Sequence, residues 1–209
     1  MKIGRQSACR ARPPDFLMTL AHDQSHPMRA VLHRPVVMVG MMGSGKTAIG
    51  RALSARLGVE FADSDAEIEM AANASIAEIF ERDGETFFRR REEEVIARLM
   101  RARPMILSTG GGAFLASGTQ GTIARLGVAL WLDAPLDLLW ERVRHKDTRP
   151  LLRTSDPLAT LTRIHRARTP VYAKAALRLS VQPHASIETT TQQAVDLLTT
   201  RPDILEIQP

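Results

Sequence analysis

A glycine-rich turn between a short apolar run and a helical pattern constrains the fold of this chain more than any other stretch. The apolar residues 35–39 lead into Gly40, and Gly45, Lys46 and Thr47 stand at the start of an amphipathic stretch. This is the G-x-x-x-x-G-K-[ST] spacing of a phosphate-binding loop, which lies between a strand and a helix. The turn therefore predicts an α/β fold with a phosphate site, against the simpler interpretation of a glycine turn with an exposed lysine.

Each residue type in this turn suits a bound phosphate chain. Glycines leave consecutive backbone N–H groups free to point at phosphate oxygens, and the start of the following helix adds partial positive charge. Lys46 can reach the terminal phosphates, and the Thr47 hydroxyl can ligate Mg²⁺.

From Pro35 onward, short apolar runs alternate with longer amphipathic stretches, which is the pattern of a parallel α/β sheet. We predict strands at 36–39, 59–62, 105–107, 128–132 and 177–181. We predict helices at 47–57, 65–72, 75–82, 86–101, from Pro135 onward, 157–172 and 187–199.

The length of 209 residues suits one domain, and the 44% apolar content is ordinary for a globular protein. Six basic and two acidic residues in 1–34 account for +4 of the net charge of +5, so the body is nearly neutral and a weak candidate for nucleic acid binding.

No apolar run approaches the roughly 18 residues of a membrane helix. The single Cys9 fits a reducing, cytoplasmic location. We predict a disordered or mis-started basic leader at 1–34 and a tail at 202–209.

Two carboxylates, Asp63 and Asp65, leave the carboxyl end of a predicted strand, which is where ligands bind in open parallel sheets. The one-residue spacing lets one side chain face a metal at the phosphate loop and the other face a separate substrate. The alternative is that one of them caps the following helix, which would explain one carboxylate and leave the other.

An arginine-rich helix and a glycine triplet follow. In the run from Phe88 to Glu94, each arginine has a glutamate three residues later, which is typical of a solvated, salt-bridged helix. An arginine that points inward could instead bind a carboxylate with its guanidinium fork, and the spacing does not tell which one does. Gly110, Gly111 and Gly112 follow a strand and allow the backbone to approach a ligand closely.

Two further stretches carry cations. Residues 142–152 include Arg142, Arg144, His145, Lys146 and Arg149. In a phosphoryl-transfer enzyme such a segment can close over the nucleotide and supply an arginine. The motif Arg168-x-Pro170-x-Tyr172 lies late in a predicted helix that the proline should kink or end.

Taken together, these elements resemble shikimate kinases over residues 35–200. The elements that carry the resemblance, in chain order, are the loop 40–47, Asp63-Ser64-Asp65, Phe88-Arg89-x-x-Glu92, Gly110-Gly111-Gly112, Arg149-Pro150-Leu151-Leu152 and Arg168-x-Pro170-x-Tyr172. The resemblance implies a three-layer P-loop kinase fold over 35–201, with a central parallel five-stranded sheet flanked by helices and a mobile lid at about 144–156.

The resemblance also implies an activity, namely ATP-dependent phosphorylation of the 3-hydroxyl of shikimate to 3-phosphoshikimate on the route to chorismate and the aromatic amino acids. It implies Mg²⁺ as cofactor, ATP and shikimate as small-molecule partners, no nucleic acid or membrane partner, and a monomer.

Carried over to this sequence, the family's roles fall on named residues. Lys46, Asp65 and Arg149 are the implied catalytic residues. Thr47 is implied to ligate Mg²⁺ directly and Asp63 through water, and Glu92 to help set the substrate-side network. The implied ATP-binding residues are Gly43, Ser44, Gly45, Lys46, Thr47, Ala48, Arg142 and Arg149. The implied shikimate-binding residues are Asp65, Arg89, Gly111 and Arg168.

Two rival interpretations stay open at this point. One is a kinase for another hydroxylated acid such as gluconate, and the other is a nucleotide-dependent regulator without an acceptor pocket. Two features depart from the familiar pattern. The adenine contact in the turn 182–186 cannot be assigned to one residue, and no acidic residue follows the strand 105–107.

Overall fold

The central strand of the fold is Val36–Val39, the apolar run that leads into the phosphate loop, and every one of its residues is buried. The computed structural model describes residues 30–145 and 150–208. Residues 1–29, most of the predicted leader, lie outside the described part, as does Arg149 of the predicted lid.

Within the described residues, the strands and helices alternate as the sequence predicts. The strands are β1 Ala30–Leu32, β2 Val36–Val39, β3 Phe61–Asp63, β4 Ile106–Ser108, β5 Val128–Asp133, β6 Leu177–Ser180 and β7 Leu205–Ile207. The helices are α1 Lys46–Leu57, α2 Ser64–Ala72, α3 Ile76–Ala102, α4 Ser117–Leu126, α5 Leu136–Val143, α6 Pro157–Tyr172 and α7 Ile187–Thr199, with 3₁₀ turns at Ala113–Leu115 and Pro150–Leu152.

The main sheet has five parallel strands in the order β3-β4-β2-β5-β6, which confirms the predicted fold class. Helices flank the sheet, so its inner strands are buried on both faces and consist of apolar residues apart from Ser108 and Asp133 at their carboxyl ends. Because the strands are parallel and in register, their carboxyl ends meet at one edge. Asp63, Ser108 and the phosphate loop all lie at that edge.

A second, two-stranded antiparallel sheet corrects the predicted ends of the domain. Strand β1 pairs with β7 through residues that the sequence assigned to the leader 1–34 and the tail 202–209. Leu32, Ile204 and Leu205 are buried, and the His33 N–H donates to the Ile204 carbonyl at 2.8 Å. Residues 30–34 and 202–207 therefore belong to the folded body.

Several predicted boundaries were wrong by one or two residues. Strand β3 begins at Phe61 and includes Asp63, and Pro135 precedes α5 as its N-cap residue instead of lying in its first turn. Helix α4 was not predicted. The predicted break at Gly84 is present as a kink within α3, where Gly84 has φ 82° and ψ 167°.

Among the described residues, no helix has both the length and the apolar character that crossing a membrane requires.

Candidate active site

The phosphate loop joins β2 to α1 in the conformation that its glycines allow. Gly43 and Gly45 have φ of 83° and 100°, a region that side chains other than glycine rarely adopt. Helix α1 begins directly after Gly45, so its free N–H groups face the loop. The Lys46 ammonium lies over the loop and donates to the carbonyls of Gly40 and Met41, each at 3.0 Å. The loop is therefore shaped as a cradle for an anion.

Three oxygen-bearing side chains lie together beside the loop. The Thr47 hydroxyl donates to Asp63 Oδ2 at 3.0 Å and lies 3.2 Å from the Ser108 hydroxyl. Asp63 also caps α2, because its Oδ1 accepts the Asp65 N–H at 3.1 Å. Asp63 is therefore the cap of α2, while its second oxygen, Oδ2, lies beside Thr47.

These oxygens fit the hard donor set that Mg²⁺ prefers, in which one or two carboxylates act together with substrate phosphates and water. Within the described ranges, no group of three or more His, Cys, Asp or Glu side chains could hold a metal ion. Thr47, Asp63 and Ser108 thus suit a metal that arrives with a nucleotide.

A half-buried aspartate lies next to this cluster. Burial raises the pKa of Asp65, and the neighbouring Asp63 raises it further, while the Lys46 ammonium acts in the opposite direction. Its Oδ1 has no hydrogen-bond partner among the described residues. An acceptor without a donor, placed near the Lys46 ammonium, suits a ligand hydroxyl group.

Arg89 is the arginine of the basic run that turns inward. Its Nη1 donates to Glu92 at 2.7 Å, and its Nη2 lies 3.2 Å from Glu85, whereas Arg91 pairs with Glu94 on the exposed surface. Glu92 is 2% exposed, and burial raises its pKa although the Arg89 charge opposes that rise. Burial lowers the pKa of Arg89, but Glu92 and Glu85 raise it by more, so that it lies above the ordinary value and the guanidinium stays charged.

The glycine triplet, which we call the triple-glycine loop (residues 110–112), lies between these groups. A Cβ on Gly110 would stand 2.7 Å from Asp65 Oδ1, and one on Gly112 would stand 2.5 Å from Arg89 Nη2. The Gly111 carbonyl accepts hydrogen bonds from Arg168 Nη1 at 3.1 Å and from the Tyr172 hydroxyl. The loop can therefore pass this close to the charged side chains only because it lacks side chains of its own.

A cavity of about 600 Å³ connects the two halves of the site. Arg142 lines it and donates to the Gly43 carbonyl at 3.1 Å. The lining residues include Gly43, Gly45, Lys46, Thr47, Ala48, Asp63, Asp65, Gly110, Gly111, Arg142, Ala185, Ser186 and Ile187. The turn after β6, where the sequence left the adenine contact open, thus faces the phosphate loop across one cavity.

Most of the predicted site residues are brought together. Arg89 and Arg168 reach the site through the triple-glycine loop and do not line the cavity itself. Arg149 lies outside the described residues. Sequence reasoning gave no role to Ser108, Glu85 or Tyr172. Ser108 ends β4, where the sequence has no acidic residue, and Tyr172 belongs to the motif Arg168-x-Pro170-x-Tyr172.

Comparison with known proteins gives a consistent match. A family model described as shikimate kinase matches residues 42–199. A shikimate kinase of Ruegeria pomeroyi is 60% identical over 178 residues, which are 85% of this chain and 91% of that protein. One from Cereibacter sphaeroides is 50% identical over 206 residues, 99% of this chain and 98% of that protein. The structure of a shikimate kinase from Acinetobacter baumannii in complex with shikimate is 33% identical, with a TM-score of 0.74 over 80% of this chain and 93% of that one.

Proposed function

This chain belongs to the shikimate kinase family, and we propose from that premise how its residues transfer the γ-phosphoryl group of ATP to the 3-hydroxyl of shikimate. The reaction gives 3-phosphoshikimate and ADP, a step toward chorismate and the aromatic amino acids. The observation that carries the assignment is that one cavity is lined by the phosphate loop at one side and by Asp65 and the triple-glycine loop at the other.

On the nucleotide side, residues 43–48 hold the phosphates of ATP with backbone N–H groups and the Lys46 ammonium. To do so, Lys46 exchanges its contacts with the Gly40 and Met41 carbonyls for phosphate oxygens. Arg142 donates to the Gly43 carbonyl and lines the same cavity as residues 185–187, which suits contact with the adenosine part. We assign Arg149 to the phosphates as the lid arginine on the basis of the family resemblance.

Thr47 and Asp63 would hold Mg²⁺, Thr47 directly and Asp63 through water, with Ser108 beside them. When bound, the ion neutralises phosphate charge and fixes the geometry of the β- and γ-phosphates. The hydrogen bond from the Thr47 hydroxyl to Asp63 Oδ2 holds these two oxygens 3.0 Å apart, which supports this assignment.

On the acceptor side, Arg89 and Arg168 bind the carboxylate of shikimate and Asp65 accepts a hydrogen bond from a ring hydroxyl. Two guanidinium groups suit one carboxylate, because each offers a planar pair of N–H donors. Asp65 orients the attacking oxygen and can receive its proton. The Gly111 backbone adds a further contact, and Glu92 holds Arg89 in place.

The chemistry requires little beyond this arrangement. Phosphoryl transfer depends mainly on positioning and on stabilising the charge that spreads over the transferred group. Lys46 and Arg149 surround that group with positive charge, and Asp65 orients the attacking hydroxyl of shikimate. We place the reaction in the cytoplasm and expect a monomer, as the sequence predicts.

The experiment that tests the proposal is a coupled ADP-release assay with shikimate and gluconate side by side. We expect shikimate-dependent turnover that Lys46→Met lowers by at least about two orders of magnitude, because the transferred group loses its central cation. Faster turnover with gluconate than with shikimate would favour the rival sugar-acid kinase. Turnover that survives the loss of Lys46 would refute the assigned role of the phosphate loop.

A further inference from the structure

Tyr172 is a buried side chain that points its polar end at the active site. It is the only tyrosine in the chain, it ends α6, and it is 1% exposed. Its ring lies against that of Trp131 on β5, with centroids 6.3 Å apart. Its hydroxyl donates to the Gly111 carbonyl in the triple-glycine loop. A phenol packed this tightly offers its O–H at a fixed position, since the ring has little freedom to move.

The same carbonyl also accepts a hydrogen bond from Arg168, one helical turn earlier on α6. The two donors, Arg168 and Tyr172, differ in the other contacts that they make. Arg168 is half-buried and, in the proposed function, turns its guanidinium toward the carboxylate of shikimate. The Tyr172 hydroxyl accepts a hydrogen bond from Arg168, and among the described residues it donates its own proton to the Gly111 carbonyl. Tyr172 therefore remains on the Gly111 carbonyl when Arg168 is drawn to the substrate.

The position of Gly111 matters to both halves of the site. On one side, a Cβ on Gly111 would lie 3.4 Å from the Met42 nitrogen of the phosphate loop. On the other side, its neighbours Gly110 and Gly112 lie directly against Asp65 and Arg89. A shift of the Gly111 backbone would move the groups that hold the acceptor relative to the groups that hold the phosphates.

Building on the proposed function, we propose that Tyr172 is a positioning residue for the acceptor. Its hydroxyl fixes the Gly111 carbonyl, keeps the triple-glycine loop in place against Asp65 and Arg89, and frees Arg168 for the substrate carboxylate. Tyr172 touches neither substrate nor reacting atoms in this role and acts through Gly111 and through its contact with Arg168.

The state of the phenol agrees with this role. Burial raises the pKa of Tyr172, although the charge of Arg168, a hydrogen bond from the same guanidinium and then the charge of Arg89 act to lower it. The hydroxyl therefore keeps its proton, and remains a donor, throughout the neutral range.

The test is Tyr172→Phe, which keeps the ring and removes only the hydroxyl. We expect KM for shikimate, and the shikimate Kd measured by calorimetry without nucleotide, to rise about five- to tenfold, the usual effect of one lost hydrogen bond to a positioned group. KM for ATP should stay within about twofold, because the phosphate loop keeps its own contacts. The matched control is Thr169→Val, which removes a different hydroxyl from the same helix. Among the described residues, that hydroxyl donates only to the His165 carbonyl.

Each outcome has a definite meaning. Equal shikimate affinity in Tyr172→Phe and wild type would overturn the positioning role. Equal loss of affinity for shikimate and ATP would also overturn it, because that pattern marks a general loss of structure, which thermal denaturation of the same variant checks. A wild-type protein without shikimate-dependent ADP release would instead refute the proposed function itself. The calorimetric Kd decides the question even if the variant turns over slowly.

Discussion

Two carboxyl groups at the acceptor side have unmet hydrogen-bonding capacity. Asp65 Oδ1 and Glu92 Oε1 are buried without hydrogen-bond partners among the described residues, and both lie next to Gly110. Burial raises the pKa of each. Natural proteins keep such groups at functional sites, where a ligand supplies the missing donors. Shikimate, with three hydroxyls, is a ligand of that kind.

Asp65 gives the sharpest prediction at the residue scale. Its raised pKa means that the folded state holds the carboxyl proton more tightly than the unfolded state does, so stability falls as the pH rises from the ordinary aspartate value through the folded pKa. At pH 7 the ionised side chain therefore costs stability. We expect Asp65→Asn to raise the melting temperature at pH 7 by a few degrees, a gain that disappears below the ordinary aspartate pKa near pH 4.

The same variant should lose activity, since the amide cannot take the proton of the attacking hydroxyl. We expect kcat to fall by about 10²- to 10⁴-fold in the ADP-release assay. Asp137→Asn, at an exposed position in the first turn of α5, is the control and should gain no stability at pH 7 and keep its activity. An Asp65→Asn protein less stable than wild type at pH 7 would show that the charge is well compensated in the folded state.

A site residue could be predicted from the sequence only where its neighbours in the chain mark its position. Asp63 ends a strand and Asp65 follows it two residues later, so the place of this pair at the sheet edge could be predicted from the sequence. The choice of Arg89 over Arg91 could not be read from spacing, because both have a glutamate three residues later, and only burial of Glu92 separates them. The contact between Tyr172 and Gly111 joins residues 61 apart in the chain, which no local pattern reveals.

At the scale of elements, the kink in α3 is the most informative feature. Gly84 has φ 82° and ψ 167°, a combination that is essentially confined to glycine, and nothing lies within 4 Å of a Cβ placed there. The kink separates the first turns of α3 from the part that carries Arg89 and Glu92. Glycine is thus required at 84 for its backbone angles and not for space.

Whether Gly84 is required for its backbone angles and not for lack of space can be tested. We expect Gly84→Ala to lower the free energy of unfolding by about 1–3 kcal/mol, because alanine must adopt a strained conformation or straighten the kink. Gly121→Ala in α4 is the matched control, since that glycine is helical and its Cβ would also meet nothing within 4 Å. It should gain about 0.5–1 kcal/mol from helix propensity. Urea denaturation of both variants gives the comparison, and equal effects at the two positions would contradict it.

The elements that sequence reasoning missed have physical reasons for being inconspicuous. Helix α4 contains Gly118 and Gly121 together with β-branched threonines, a composition that disfavours helix. Packing overrides it, because Thr119 and Ile123 are buried, and a Cβ on Gly118 would stand 2.2 Å from Glu93 Oε1 of α3. By contrast, the strands of the main sheet contain short apolar runs or, in β6, alternating leucines, and they could be predicted within two residues.

At the scale of the whole molecule, the buried apolar residues of the described chain form two clusters. The larger contains the central strands and both described ends of the chain, through Leu32 and Leu205. The smaller, Ile68, Ile79 and Phe88, lies between α2 and α3 on the acceptor side. Strands β1 and β7 were missed because each has three residues, too few to show a period. They are held by burial against the larger cluster.

The ends of the domain follow from this core and give a prediction with a built-in control. Residues 1–29 lie outside the described part of the chain, in the stretch that the sequence predicts as a leader, and we expect a protein that lacks them to match the melting temperature and kcat of the full chain. Deletion of 1–34 also removes β1, buried Leu32, and Arg34, whose Nη2 donates to the Ala124 and Arg125 carbonyls at the end of α4 at 3.3 and 3.4 Å. Loss of one buried leucine costs about 2–5 kcal/mol, so we expect the melting temperature to fall by about 5–10 °C while turnover at 25 °C persists, because none of these residues reaches the active site.

Differential scanning calorimetry of the two truncated proteins tests whether β1 contributes this stability. An equal loss in both would place the stabilising contacts before residue 30, and no loss in either would show that β1 adds little to the core that it covers.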